Sequence, residues 1–339
     1  MTAPTRPGHR DPVVLAVGGS AGSIGPLLEL VRALPPELPA TVLVTVHLGD
    51  SGRSQLAAIL SRASRLPVAW AVNGEPLVAS RVYVAPPGFH LLARHGSVSL
   101  SSGPRVNRHR PSIDAMFDSA AGARSAVVLV LSGVLDEGAV GAALVASGGG
   151  QVLVQDPAEA EFPGMPAAAL RAVPEATLLT RTTIVSTITT AVEQALTRLT
   201  PHPTSTAEAA MSMAEGSIDY LSDDESRLTR LSCPDCGGSL AQVDLAQISY
   251  FRCHVGHQFG PQALAAAQAE ASEAKLWSAL AAIEEETAFQ RYLGSAVPGV
   301  DPEVAASHRR LADELGDRAV QLREQVHAWA PVRLDSTSD

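Results

Sequence analysis

No stretch of this sequence is both apolar and uncharged for long enough to cross a bilayer. The longest, around Ala126 to Leu135, falls well short of the roughly 20 residues that a membrane helix needs. The first residues hold Arg6, His9 and Arg10 among prolines and a glycine but no apolar core, so residues 1–11 read as a flexible tail and not as a signal peptide. The expectation is a cytoplasmic protein with no membrane insertion. Positive charge is also scarce: 25 Lys and Arg stand against 35 Asp and Glu, for a net charge of −10. That balance argues against general binding to nucleic acid, whose phosphates need a basic footprint. Cysteine is scarcer still. There are three, all between Cys233 and Cys253, and an odd number packed so closely favours metal ligation over a disulfide framework. A nucleotide-binding module would need a Walker lysine or a G-x-G-x-x-G turn, and the glycine-rich turn after the first strand has neither.

What the chain does have is length and apolar content. Its 339 residues, 46% hydrophobic, can bury at least one large core, and the length suggests about two domains. The organising stretch is Gly18-Gly19-Ser20-Ala21-Gly22. Val13 to Val17 reads as a buried strand before it, and Ile24 to Leu34 carries apolar side chains at helical spacing after it. Ser20 therefore falls on a strand-to-helix turn whose glycines remove the crowding that Cβ atoms would cause, a geometry that suits a nucleophile. A tight turn with no chemistry has the same pattern. A second strand, Thr41 to Val46, ends at His47, and a third, Ala126 to Leu131, leads to Asp136 and Glu137. A serine, a histidine and a carboxylate thus follow three strands at one edge of a parallel sheet, where an activated serine would find its base and the base its orienting acid.

Other segments are read more simply. Residues 51–61 form a helix, with short strands near Val68 to Ala71 and Arg81 to Ala85, and Phe89 to Leu92 pairs with Val98 to Leu100 as a hairpin. His90 is expected on an exposed strand face. Arg105 to Arg110 is the densest basic run and would suit either a solvated loop or a docking surface for an acidic protein. Phe162 to Pro166 is a loop that either roofs the site or merely connects.

At these residues the sequence resembles the CheB-type protein-glutamate methylesterases, over roughly Pro12 to Val192. Gly18-Gly19-Ser20 matches the family's nucleophile turn and Thr45-Val46-His47 its base strand. Arg108-His109-Arg110-Pro111-Ser112-Ile113-Asp114-Ala115-Met116-Phe117 matches its Arg-His-Arg-Pro-Ser-x-Asp-x-x-Phe stretch, and Gln155-Asp156 and Gly164-Met165-Pro166 match two further signatures. The resemblance implies a serine hydrolase that removes methyl groups from glutamyl esters of chemoreceptors, with glutaminyl deamidation open to the same acyl chemistry and no cofactor for catalysis. Ser20 would be the nucleophile and His47 the base, so activity should fall as His47 becomes protonated. Backbone amides, one near Val134, would hold the oxyanion, and Arg108, His109, Arg110 and Met165 would line the substrate-docking side. The partner would be a methylated chemoreceptor or a related signalling protein.

One departure concerns the acid. The family's segment reads Leu-[Ser/Thr]-Gly-x-Gly-x-Asp-Gly, and against Leu131 to Gly138 the aspartate position falls on Glu137, one methylene longer, with Asp136 adjacent as the alternative. Leu135 stands at the second glycine, which makes the turn less permissive. A weak or silent adaptor that keeps the fold is the rival reading. The family's receiver domain has no counterpart in the few residues before the first strand, so phosphorylation control within the chain is not expected.

The expected architecture is α/β, a mostly parallel doubly wound sheet with helices on both faces, followed by a small zinc-ribbon-like module and a C-terminal helical hairpin. The esterase-like domain spans 12–198, a polar and acidic linker 199–230, the zinc module 231–262, the hairpin 263–330 and a flexible tail 331–339. In the module, Cys233, Cys236, Cys253 and His257 have the spacing C-x2-C-x16-C-x3-H, four ligands for a structural zinc, with His254 as the competing fourth ligand. A closed tetrahedral site implies esterase chemistry independent of the metal. Leu276, Leu280 and Ile283 mark one helical stripe, and Leu311, Leu315, Ala319, Leu322, Val326 and Trp329 another, which would close as an antiparallel hairpin or as an arm for a homodimer.

Overall fold

The structure, a computed structural model, describes residues 13–47, 55–121, 125–198, 226–245, 247–295 and 301–328. The tails, the stretch 199–225 with its acidic run, and Trp329 lie outside the described residues. The chain divides into two compact units, Met1–Leu264 and Ala265–Asp339.

The first unit is built on a sheet of seven strands. These are β1 (Val13–Gly19), β2 (Ala40–Val46), β3 (Val68–Trp70), β4 (Arg81–Val84), β7 (Ala126–Val130), β8 (Gln151–Gln155) and β9 (Thr177–Leu179). Their spatial order is β3-β4-β2-β1-β7-β8-β9, every pairing is parallel, and β1 is the middle member between β2 and β7. From β1 the chain first builds one side of the sheet and then crosses to the other. The carboxyl ends of β1 and β7 are therefore the switch point at which such sheets bind ligands.

The alternation of β1 side chains explains why helices cover both faces. Val13, Leu15 and Val17 face α1 (Ile24–Ala33), α2 (Leu56–Ala63) and α6 (Ile184–Arg198), while Val14 and Ala16 face α3 (Ile113–Ala121), α4 (Ala139–Ser147) and α5 (Gly164–Ala172). The doubly wound arrangement expected from the sequence is thus the one found. Gly18 is required by packing: a Cβ there would fall 2.2 Å from the Ile113 side chain of α3. The hairpin β5 (His90–Arg94) and β6 (Ser97–Ser101) is antiparallel, as expected.

His90 differs from expectation. It is buried, with Nε2 2.9 Å from the Pro104 carbonyl and Nδ1 accepting the Ser112 N–H, so it braces the chain that leads into α3. Burial lowers its pKa, since desolvation disfavours the imidazolium.

A four-stranded antiparallel sheet follows: β10 (Ser226–Ser232), β11 (Ser239–Leu245), β12 (Ile248–Cys253) and β13 (Gln258–Phe259). Its first strand begins inside the segment read from sequence as linker, because Arg227, Leu228 and their neighbours pair with β11. The first turn of α7 (Pro261–Gly294) closes this unit.

In the second unit the rest of α7 and α8 (Pro302–Ala328) run antiparallel. The register is set by His308 Nδ1 2.6 Å from Gln290 Oε1, by an Arg323–Glu284 ion pair and by edge-on contact of the Trp277 and His327 rings. Leu280, Ala312, Leu315, Ala319 and Val326 are buried along the seam, whereas Phe289, Tyr292 and Val320 are exposed.

Candidate active site and candidate metal centre

The parallel register puts the two leading site residues side by side. Gly19 pairs with Val46, the His47 N–H donates to the Gly19 carbonyl at 3.1 Å, and Ser20 and His47 are the next residues of their strands. On the other flank of β1, the Ser20 N–H donates to Ser132 O at 2.9 Å. Behind the turn, a Cβ on Gly133 would fall 2.0 Å from Met165 Sδ and 3.0 Å from Ser20 Cβ. Only a glycine lets the segment after β7 pass so close to the serine.

The Phe162 loop is tied to the same segment. Gly133 N–H donates to Phe162 O at 3.0 Å and Phe162 N–H to Ser132 Oγ at 3.0 Å. The loop thus borders the Ser20 turn, and at Gly22, where φ is +73, an added Cβ would fall 2.8 Å from Glu161 and 3.0 Å from Phe162.

Past Gly133, Leu135 adopts φ +62, a left-handed conformation that costs a leucine about 1 kcal/mol or more. This is the position at which the sequence comparison noted a missing glycine. The turn nevertheless delivers its two carboxylates in different directions. Glu137 Oε2 lies 3.1 Å from His47 Nε2, and Glu137 Oε1 accepts the Ile113 N–H at 2.8 Å. Asp136 faces away and caps α7, accepting Gln262 N–H at 2.8 Å and Ala263 N–H at 3.1 Å.

Desolvation pushes the Glu137 carboxyl up, but His47, His109 and the Ile113 N–H outweigh it and hold the group below its ordinary pKa. Asp136 is shifted the other way, because burial is not fully offset by its two helix N–H donors.

The ring of His109 stacks on that of His47, centroids 3.7 Å apart and planes 13° from parallel, with its Nε2 3.9 Å from Glu137 Oε2. Sequence reasoning placed His109 on the docking side and missed this stack, since nothing in the motif says which way its ring turns. Desolvation lowers the His109 pKa more than the Glu137 carboxylate raises it. Of the other residues expected on the docking side, Met165 is the one that the fold removes from the surface. Met165 is fully buried under Gly133, and Arg110 is committed to the chain, its Nη1 donating to the Ser102 and Gly103 carbonyls at 2.7 Å. Arg108 is half-exposed and sits 3.7 Å from Asp235.

The family comparison covers this same region. The family model described as CheB methylesterase matches residues 15–188. The chain belongs to the CheB methylesterase family. The protein-glutamate methylesterase/protein-glutamine glutaminase 2 of Anaeromyxobacter dehalogenans is 40% identical over 171 residues, 50% of this chain and 49% of that protein. A protein of the same double name from Bradyrhizobium diazoefficiens is 38% identical over 168 residues, 48% of this chain and 42% of that one. The chain therefore spans about half the length of the curated relatives it matches. Among solved structures, the CheB methylesterase catalytic domain of Thermotoga maritima superposes with a TM-score of 0.50 at 28% identity, covering 53% of this chain and 98% of that domain. The CheB-like sheet thus accounts for the first 190 or so residues, and the four-stranded sheet and helical pair lie beyond the matched region.

The cysteines gather beyond it. Cys233 Sγ is 3.7 Å from His257 Nδ1, Cys253 Sγ is 3.5 Å from the same nitrogen, and the Cys236 and Cys253 sulfurs are 3.6 Å apart. A tetrahedral zinc with Zn–S near 2.3 Å separates its ligands by about 3.5 to 3.8 Å, which these three separations match, and all four atoms lie within 4.8 Å of one another. His254 is elsewhere, its ring packed over Gly238, where a Cβ would fall 2.4 Å from it.

Proposed function

We propose that this protein is a serine hydrolase acting on glutamyl methyl esters of chemoreceptor-type proteins, with glutaminyl deamidation by the same route. The observation that carries this reading is the arrangement of Ser20 and His47 after adjacent strands with the Glu137 carboxylate 3.1 Å from the imidazole. With Nε2 on the Glu137 side at 3.1 Å, Nδ1 is the nitrogen assigned to receive the Ser20 hydroxyl proton. Ser20 Oγ attacks the ester carbonyl, methanol leaves with that proton, and water then attacks the acyl-enzyme to give the glutamate carboxylate and restore the serine. Glu137, held ionised by its neighbours, stabilises the imidazolium between the two steps.

The Ser20 and Gly133 amides are committed to Ser132 O and Phe162 O. The oxyanion donors are therefore assigned to the Ala21 and Val134 N–H groups, each one residue further along its turn. His109 covers one face of the His47 ring and stays neutral at a lower pH than an ordinary histidine, so it excludes water without adding a competing positive charge.

Cys233, Cys236, Cys253 and His257 would hold zinc, which supplies a cross-link between the two turns of the module and no open coordination position. Its chemistry is structural. The contact between Glu137 and His47 is what favours an enzyme over a silent adaptor. Covalent labelling by a fluorophosphonate, read by mass spectrometry, tests the assignment. Modification of Ser20 that disappears in Ser20→Ala and falls in His47→Ala is expected, with methanol release from a methylated receptor lost by about 10⁴-fold or more. Full methanol release by Ser20→Ala would overturn it.

A further inference from the structure

The segment that follows the last metal ligand touches both loops of the proposed catalytic site. Immediately after His257, the Gln258 carbonyl accepts the Asn107 N–H at 2.6 Å, and the Gly260 N–H donates to Asn107 Oδ1 at 2.7 Å. Val106 also bridges to Gln258 in a short parallel contact. Asn107 Nδ2 in turn donates to Asp114 Oδ2 of α3 at 2.8 Å, so every polar group of this buried side chain is committed. Asp235, which lies between the first two cysteines, reaches Arg108 at 3.7 Å. Two residues past Asn107 stands His109, stacked on His47.

The second grip is on the other loop. Asp136 accepts the N–H groups of Gln262 and Ala263, and its neighbour Glu137 faces His47. The approach leaves no spare room, since a Cβ on Gly260 would fall 2.5 Å from Asp136 Oδ2. Both loops need such holding. Asn107 and Arg108 have φ of +49 and +66, and Leu135 +62, conformations that L-residues leave unless their surroundings fix them.

We propose that the Cys3His centre sets the geometry of the catalytic site through residues 257–263, with Asn107 and Asp136 as positioning residues for His109 and Glu137. This rests on the esterase and zinc readings above, and it replaces the expectation that the two sites act independently. The metal fixes where His257 ends, and thus where the Gln258 carbonyl, the Gly260 N–H and the first turn of α7 present themselves. Loss of the metal frees that segment, and the two left-handed loops relax with it.

The test uses the full chain, with zinc bound, stripped by a chelator and restored. Three readouts are taken: zinc per chain, amide hydrogen exchange, and the rate and pH profile of Ser20 labelling. Stripping should raise exchange in peptides covering 105–110 and 133–138, leave β1 and β7 protected, and slow labelling at least tenfold. Restored zinc should reverse all of it. Asn107→Ala should keep the zinc, label slowly, and respond less to chelation. Asp136→Asn, which keeps one acceptor, should recover part of what Asp136→Ala loses. Unchanged exchange in both segments after the zinc has gone would overturn the coupling, whatever the labelling does. A response in exchange with no Ser20 labelling in any state would keep the coupling and overturn the esterase reading.

Discussion

Two clusters in the first unit each bring metal-capable side chains within 4.8 Å of one another: His47, His109 and Glu137, and Cys233, Cys236, Cys253 and His257. They differ in whether the lone pairs converge. An imidazole lone pair lies in the plane of its ring, and the rings of His47 and His109 are nearly parallel and 3.7 Å apart, so the two nitrogens send theirs into separate planes. No single point suits both. In the function proposed above, this cluster instead serves proton transfer from Ser20 to His47, with Glu137 3.1 Å from Nε2. In the other cluster, turns at 233–236 and 253–257 bring three sulfurs and one nitrogen within 4.8 Å of one another, with the soft ligands that zinc prefers. Closeness alone does not make a metal site.

The contrast is testable at each end. The largest effect is expected from Glu137→Gln, which keeps the shape and removes the charge: kcat for ester hydrolysis should fall by about 10³ to 10⁴-fold, while zinc content stays the same. Asp136→Asn should cost far less in kcat, since its carboxylate caps α7 and does not face His47. Equal losses from the two would dissolve the assignment of the acid. Next, Cys253→Ser should weaken zinc binding by about 100-fold or more in competition with a colorimetric chelator, whereas His109→Ala should leave it unchanged. Zinc lost on removal of His109 would mean that the two clusters share an ion.

The smallest effect concerns Asp114, which joins the two regions through Asn107. Desolvation, and then the Glu137 charge, push its carboxyl up to about 8, against the N–H donors of Gly141 and Gly138. Folding thus holds a proton that the unfolded chain releases near 3.8. Stability from this group is complete below that value and is lost as pH rises through about 8. Denaturant midpoints should fall progressively from pH 3.8 up to about 8 and level off above it, with a shallower fall in Asp114→Asn. A midpoint independent of pH in the wild type would show the carboxyl already ionised.

Much of the site was legible along the chain because its parts are local. An apolar run that ends in Gly-Gly-Ser reads as strand and turn wherever it is packed, and C-x2-C with C-x3-H reads as two ligand-bearing turns whatever lies between them. Residues with long-range partners were not legible in this way. His90 looked like a surface residue because it is the one polar side chain in the apolar run Phe89 to Leu92 of a hairpin strand, yet it is buried and bonded to Pro104 and Ser112. Met165 belonged to the right motif but is buried under Gly133, and the Arg110 guanidinium, half-buried, is bonded to the Ser102 and Gly103 carbonyls. The strand at Ser226–Ser232 was read as linker because β10 draws its order from pairing with β11.

The sequence by itself determined that Ser20 and His47 each follow an apolar strand and that three cysteines and a histidine fall at the spacing of two short turns, since these follow from apolar periodicity and from turns a few residues long. Only the tertiary structure decided which of two adjacent carboxylates turns to His47, that a second imidazole lies flat against the first, and that one segment, 126 residues beyond Asp136 and 153 beyond Asn107, contacts both loops. Those outcomes depend on the sign of φ at Leu135 and Asn107 and on partners brought in from elsewhere in the chain. Neither is written in any short stretch of residues.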